Sequence, residues 1–176
     1  MISGHDCLNP TTGRLPVPDY VASLTGNVAG LRVGIPCEFL FDGLDTAVQR
    51  AVEQAIQHFT SIGAHVSEVS WPSIRQAPAL YAISLAEGAA AHEQWIHTRA
   101  DSYDAEVRQR MQQGLFVPAT AYLKAQRIRA VVVHDAERMF QEVDLLATLT
   151  AAIPAPKLDV GSGEIAAPTG ALRSTL

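Results

Sequence analysis

The stretch from Pro118 to Thr150 constrains the fold most, because it joins a long amphipathic helix directly to a short apolar run. Pro118 suits a first helical position, where its missing N–H leaves no bond unmade. Ala121, Ala125, Ile128, Val132, Ala136, Met139 and Val143 then recur at steps of three and four, which puts them on one buried stripe. Lys124, Arg127, Arg138 and Glu142 fall largely off that stripe, towards water. Val143-Asp144-Leu145-Leu146-Ala147-Thr148 has the composition of a strand buried within a sheet. A helix that delivers the chain into a buried strand is an α/β building unit.

The preceding residues repeat that theme. Residues 1–30 are rich in Pro, Gly, Thr and Asp and predict an extended surface segment. Leu31 to Ile35 is a short β-type run ended by Pro36. From Asp45 to Ile62 the periodicity is helical, with Val48, Val52, Ala55, Ile56, Phe59 and Ile62 on one face and Gly63 as the stop. Ala64 to Trp71 alternates apolar and polar residues, and Pro72 closes it. Residues 31–71 therefore predict strand, helix, strand, with the two strands parallel. Ile74 to about Ser102 predicts an Ala-rich helix interrupted at Pro78 and Gly88, and Ala105 to Gln113 a short helix capped by Gly114. After Thr150 the prolines and glycines allow no regular element. The fold class expected is α/β, helix-rich, with a mixed sheet and helices packed on it. One partial domain is expected over 1–176, with 1–30 extended, 31–150 an α/β core and 151–176 an irregular, truncated tail.

Length and charge exclude several function classes. A chain of 176 residues is enough for one domain with a real core. No apolar run approaches the ~20 residues of a membrane span, and the N-terminus lacks the pattern of a signal peptide. The net charge of -5 is mild and the basic residues are scattered, which argues against nucleic acid as a partner. Cys7 and Cys37, in a chain without an export pattern, are expected to be reduced thiols of a cytoplasmic protein. His92 and His97 miss the i, i+4 spacing of a helical zinc pair.

Candidate chemistry is sparse. The turn after the first strand, Pro36 to Leu40, has neither G-x-G-x-x-G nor a Walker lysine, so phosphate binding gains little support. The only lysines are Lys124 and Lys157, and neither lies in a glycine-rich or nucleophile-elbow setting. Ser162, between two glycines, fits a flexible surface linker better than an active loop. Glu87, set amid alanines, is expected to be a buried carboxylate held by an arginine and backbone N–H groups rather than a catalytic one.

Five stretches, in order, carry a likeness to a known family. Ile2 to Asp6 resembles "aGxD", and Val28 to Pro36 resembles "vkGlrIGvP". Ala79 to Ile83, continuing to Ala86-Glu87, resembles "AYxxixxaEa". Arg108 to Gly114 followed by Tyr122 to Arg127 resembles "RrxxG…YxxAqrxR". Asp144 to Thr150 with Pro154-Ala155-Pro156 resembles "DvLltPTxpxpAP", except that Leu149 stands where proline is usual. Together they resemble the amidase signature family, serine hydrolases that include the A subunit of the glutamyl-tRNA amidotransferase.

That resemblance implies hydrolysis of a small-molecule carboxamide to a carboxylate and ammonia or amine, with no metal or organic cofactor expected. In the family a serine attacks the carbonyl, backbone N–H groups hold the oxyanion, and a lysine relays the proton through a bridging serine. Those three residues lie upstream of the "aGxD" segment in the family, so none is expected here, and isolated turnover is not expected either. The resemblance does assign two substrate-binding residues: Tyr81 and Arg110 match the tyrosine and arginine that hold the amide substrate in amidotransferase A subunits. Expected partners are the amide substrate of the full-length enzyme, and either a second copy of the chain or a missing N-terminal half. A non-catalytic binding or assembly module is the alternative.

Overall fold

The computed structural model describes residues 4–9 and 12–155. Among the described residues three strands, β1 (Arg32–Pro36), β2 (His65–Val69) and β3 (Leu145–Leu146), form a sheet of order β2-β1-β3. Four α-helices accompany them: α1 (Thr46–Ser61), α2 (Tyr81–Thr98), α3 (Ala105–Gly114) and α4 (Ala119–Met139). Both strand pairs are parallel, with Val33 beside Val66 on one side and beside Leu145 on the other. The sequence suggests a mixed sheet; among the described residues it is parallel throughout. The reason is the connectivity, since helices intervene between β1 and β2 and between β2 and β3, returning each strand in the same sense.

The β1–α1–β2 unit forms where the sequence places it. Asp45 caps α1, its Oδ1 accepting the Ala47 N–H at 2.7 Å. Pro118 likewise stands one residue before α4, as its cap residue with extended backbone. Along α4 the predicted stripe is inside: Ala125, Val132 and Met139 are buried, and Val143 beyond its end is 2% exposed. Met139 and Val143 pack with Val69, Trp71, Ala136 and Leu146 on one face of the sheet. Gly34 in β1 allows that approach, because a Cβ there would lie 3.0 Å from Val69 and 3.1 Å from Val143.

Two boundaries differ from expectation. The Ile74–Ser102 segment divides at Leu80 into a 3-10 helix over Pro72–Leu80 and then α2. Pro78 lies within the tighter helix, where its missing N–H keeps the α pattern from starting. Gly88, by contrast, does not interrupt α2: it faces Met111 of α3, and the packing holds it helical. The third strand is shorter than Val143–Thr148, although the Asp144 and Ala147 N–H groups also bond to β1, at 2.8 and 3.0 Å. Arg32 fixes this junction with a fork onto Asp144, Nη2 to Oδ1 at 2.6 Å and Nε to Oδ2 at 3.2 Å. Asp144 also accepts the Arg32 backbone N–H, and these bonds to Arg32 pull its carboxyl down to about 2. Between residues 12 and 30 the chain runs through turns and bends without a helix or strand. No helix among the described residues is long and apolar enough to cross a membrane.

Candidate functional site

The α2–α3 hairpin carries both residues singled out by the resemblance. Its turn is fixed first by Asp104, whose Oδ1 accepts the Glu106 N–H at 2.9 Å and caps α3. His92 Nδ1 meets the Tyr103 hydroxyl at 2.8 Å, and Arg108 reaches Asp101 at 3.0 Å. The helices then close on small residues. A Cβ on Gly114 would sit 2.1 Å from the Leu85 carbonyl oxygen and 2.7 Å from Ala89, so only glycine permits this contact.

Tyr81 is the first residue of α2 and is 43% exposed. Arg110 lies one turn before Gly114, with its guanidinium paired to Glu106 of the same helix and its side chain 18% exposed. No hydrogen bond or ion pair joins Tyr81 to Arg110 among the described residues. The two sit on adjoining helices whose contact is set by Leu85, Ala89 and Gly114.

Glu87 corrects an expectation. It is exposed, and its partner is neither an arginine nor the backbone. The Tyr122 hydroxyl donates to Glu87 Oε1 at 2.9 Å, and Gln126 Nε2 donates to that same hydroxyl oxygen at 2.9 Å. The physical reason is the packing of α4 against α2, which brings Tyr122 to Glu87 and leaves the carboxylate at the edge in water. Tyr122 is a partner that local sequence does not reveal, although its place in the "YxxAqrxR" stretch marks it.

A second polar junction lies past the ends of β1 and β2. The Glu38 carboxylate accepts Ser70 Oγ at 2.6 Å and the Trp71 N–H at 2.7 Å. Burial pushes its pKa up, but these bonds outweigh it and hold the carboxyl below its ordinary value. Desolvation and the neighbouring Glu38 push the Cys37 thiol up, away from the thiolate a nucleophile needs. Cys7 and Cys37 are both free. Lys124 is exposed on α4, while Lys157 and Ser162 lie outside the described residues. Among the described residues no three His, Cys, Asp or Glu side chains are grouped as a metal would require.

A helix-rich chain with a small parallel sheet and helices on both its faces is an α/β fold, and comparison with known proteins gives it a family. The amidase family's sequence profile matches residues 1–171. The A chain of glutamyl-tRNA(Gln) amidotransferase from Geobacter sulfurreducens is 35% identical over 182 residues, covering 89% of this chain and 38% of the relative. Its counterpart from Acidobacterium capsulatum is 37% identical over 183 residues, covering 90% and 38%. Among solved structures, a chain of a vestigial protein complex that reveals the evolutionary origins of an s-triazine catabolic enzyme superposes with a TM-score of 0.73 at 28% identity, covering 89% of this chain and 34% of that one. The Thermotoga maritima amidotransferase A chain gives 0.62 at 26% identity, covering 94% and 36%. The chain belongs to the amidase signature family. It spans 38% of the length of the amidotransferase relatives it matches.

Proposed function

We propose that this chain supplies the substrate-positioning part of an amidase-signature hydrolase, and that the reaction served is hydrolysis of a carboxamide C–N bond. The similarity to amidotransferase A subunits over 89% of the chain carries the reading. Tyr81 and Arg110 hold the substrate. A guanidinium grips a carboxylate through two parallel N–H···O bonds, and a phenol adds one hydroxyl, which suits a ligand with an amide at one end and a carboxylate at the other. Glu106 occupies Arg110 meanwhile, so a substrate carboxylate must displace it. The lysine and serine pair of the family's chemistry is not among these roles. Lys124 lies on the exposed side of α4.

The test is ligand titration of the chain, followed by nuclear magnetic resonance, with L-glutamine and with acetamide. Arg110→Ala is expected to weaken L-glutamine at least ~10-fold, the size of one charge-assisted pair, and to leave acetamide unchanged. Glu106→Gln removes the competing carboxylate and is expected to tighten L-glutamine. Unchanged L-glutamine binding by a folded Arg110→Ala protein would falsify the assignment.

A further inference from the structure

A cleft opens between the end of β2 and the C-terminal half of α4, beside the junction where Glu38 accepts Ser70 and Trp71. Its volume is about 360 Å³, within the roughly 300–1,000 Å³ of small-molecule sites. The floor is apolar, made by the buried side chains of Val69 and Met139. The rim is charged, with Asp135, Arg138 and Glu142 along α4 and its end, and Ser70 after β2.

The three charges share one face because of the helix repeat. Asp135 and Arg138 are three positions apart, Arg138 and Glu142 four, on the side where Met139 packs against Val69. Glu142 keeps that alignment past the end of α4, since its N–H bonds to the Met139 carbonyl at 2.9 Å. Opposite charges at these spacings ordinarily pair on a helix, as Glu106 and Arg110 do on α3. Here, among the described residues, no ion pair joins Arg138 to either carboxylate. They stand about one turn apart along the cleft, in the order negative, positive, negative. Ser70 adds an acceptor, because its hydroxyl hydrogen is committed to Glu38 Oε1 at 2.6 Å.

We propose that this cleft binds a free basic α-amino acid of the lysine type. A carboxylate suits Arg138, whose guanidinium offers two parallel N–H···O bonds. The two ammonium groups suit Asp135 and Glu142, with Ser70 accepting from one of them. The aliphatic stem lies over Val69 and Met139, as lysine stems do on apolar surfaces. Net charge agrees: two carboxylates and one guanidinium leave the rim one charge negative, and the ligand carries one net positive charge. A plain diamine would face Arg138 with like charge, and an apolar amino acid would leave one carboxylate unanswered. The site uses neither Tyr81 nor Arg110, so it stands or falls separately from the substrate reading.

The experiment titrates the chain with L-lysine, L-norleucine and cadaverine, following the backbone amides of Ser70, Met139 and Glu142 by nuclear magnetic resonance. L-Lysine is expected to saturate those shifts, with norleucine (no side-chain cation) and cadaverine (no carboxylate) each at least ~10-fold weaker, the size of one charge-assisted pair. Arg138→Gln should weaken L-lysine by ~10-fold or more without weakening cadaverine, whereas Glu142→Gln should weaken both. Both side chains are exposed, and an unchanged circular dichroism spectrum checks that each variant is folded. Three results would overturn the proposal: no saturable shift with L-lysine, cadaverine or norleucine binding as tightly, or a folded Arg138→Gln protein that binds L-lysine like its parent. Equal binding of cadaverine would mean a general attraction for cations.

Discussion

Gly114→Ala should separate α3 from α2, and the size of the effect follows from the contact. The added carbon would lie 2.1 Å from the Leu85 carbonyl oxygen, 2.7 Å from Ala89 Cβ and 2.8 Å from the Leu85 carbonyl carbon. Two of those atoms are backbone inside α2 and the third is attached to it, so no rotamer change relieves the clash. Overpacking of this kind costs about 1–3 kcal/mol, and a backbone obstacle belongs at the upper end. Alanine's helix preference returns less than ~1 kcal/mol, since Gly114 ends its helix. The net loss is about 2 kcal/mol, or a fall in Tm of roughly 4–8 °C for a chain this size. Gly88→Ala is the control on the facing helix. Its Cβ would meet only the Met111 thioether at 3.6 Å, an ordinary contact, so helix preference prevails and Tm should rise by roughly 2–4 °C. Thermal unfolding followed by circular dichroism at neutral pH measures both. A Gly114→Ala protein as stable as its parent, or a Gly88→Ala protein that loses as much, would refute the packing described here.

Two further outcomes concern the junctions around the sheet. The Asp144 carboxyl sits at about 2 in the folded chain, below its ordinary 3.8, so the folded state binds that proton less readily than the unfolded one. Its stabilisation is complete above about pH 4 and disappears as pH falls through about 2, and Asp144→Asn should flatten that portion of a urea-midpoint profile measured from pH 2 to 5. Glu38→Ala leaves Ser70 Oγ and the Trp71 N–H without their acceptor and should destabilise by about 1–2 kcal/mol in urea unfolding, while Cys37, freed of the neighbouring carboxylate, should react faster with a thiol reagent at pH 8.

Elements whose order depends on local periodicity are legible in the sequence. The stripe from Ala121 to Val143 needs only the 3.6-residue repeat, and Ala125, Val132, Met139 and Val143 are indeed inside. Contacts between helices distant in sequence are not legible in this way. Glu87 among alanines suggests burial, because small neighbours imply close packing. The close packing belongs to Leu85, Gly88 and Ala89, which face α3, whereas Glu87 lies around the helix and meets Tyr122, thirty-five positions on. Gly88 misleads in the complementary way. A lone glycine weakens a helix locally, and nothing in its own segment discloses that Met111 will pack over it.

The same distinction explains why the resemblance singles out Tyr81 and Arg110 but not how the two lie relative to each other. Their identity is a matter of position within local motifs, which a single chain preserves. Their relation is a matter of two helices meeting, and that meeting is governed by Gly114, a residue with no side chain to announce a function. A glycine required by close approach is thus as much a part of the candidate site as the residues with functional groups. Substituting it should weaken L-glutamine binding as well as stability, whereas Gly88→Ala, which leaves the interhelix distance intact, should leave that binding unchanged. If Gly114→Ala lowered Tm but left L-glutamine binding untouched, Tyr81 and Arg110 would not depend on the α2–α3 contact, and the hairpin would be scaffold only.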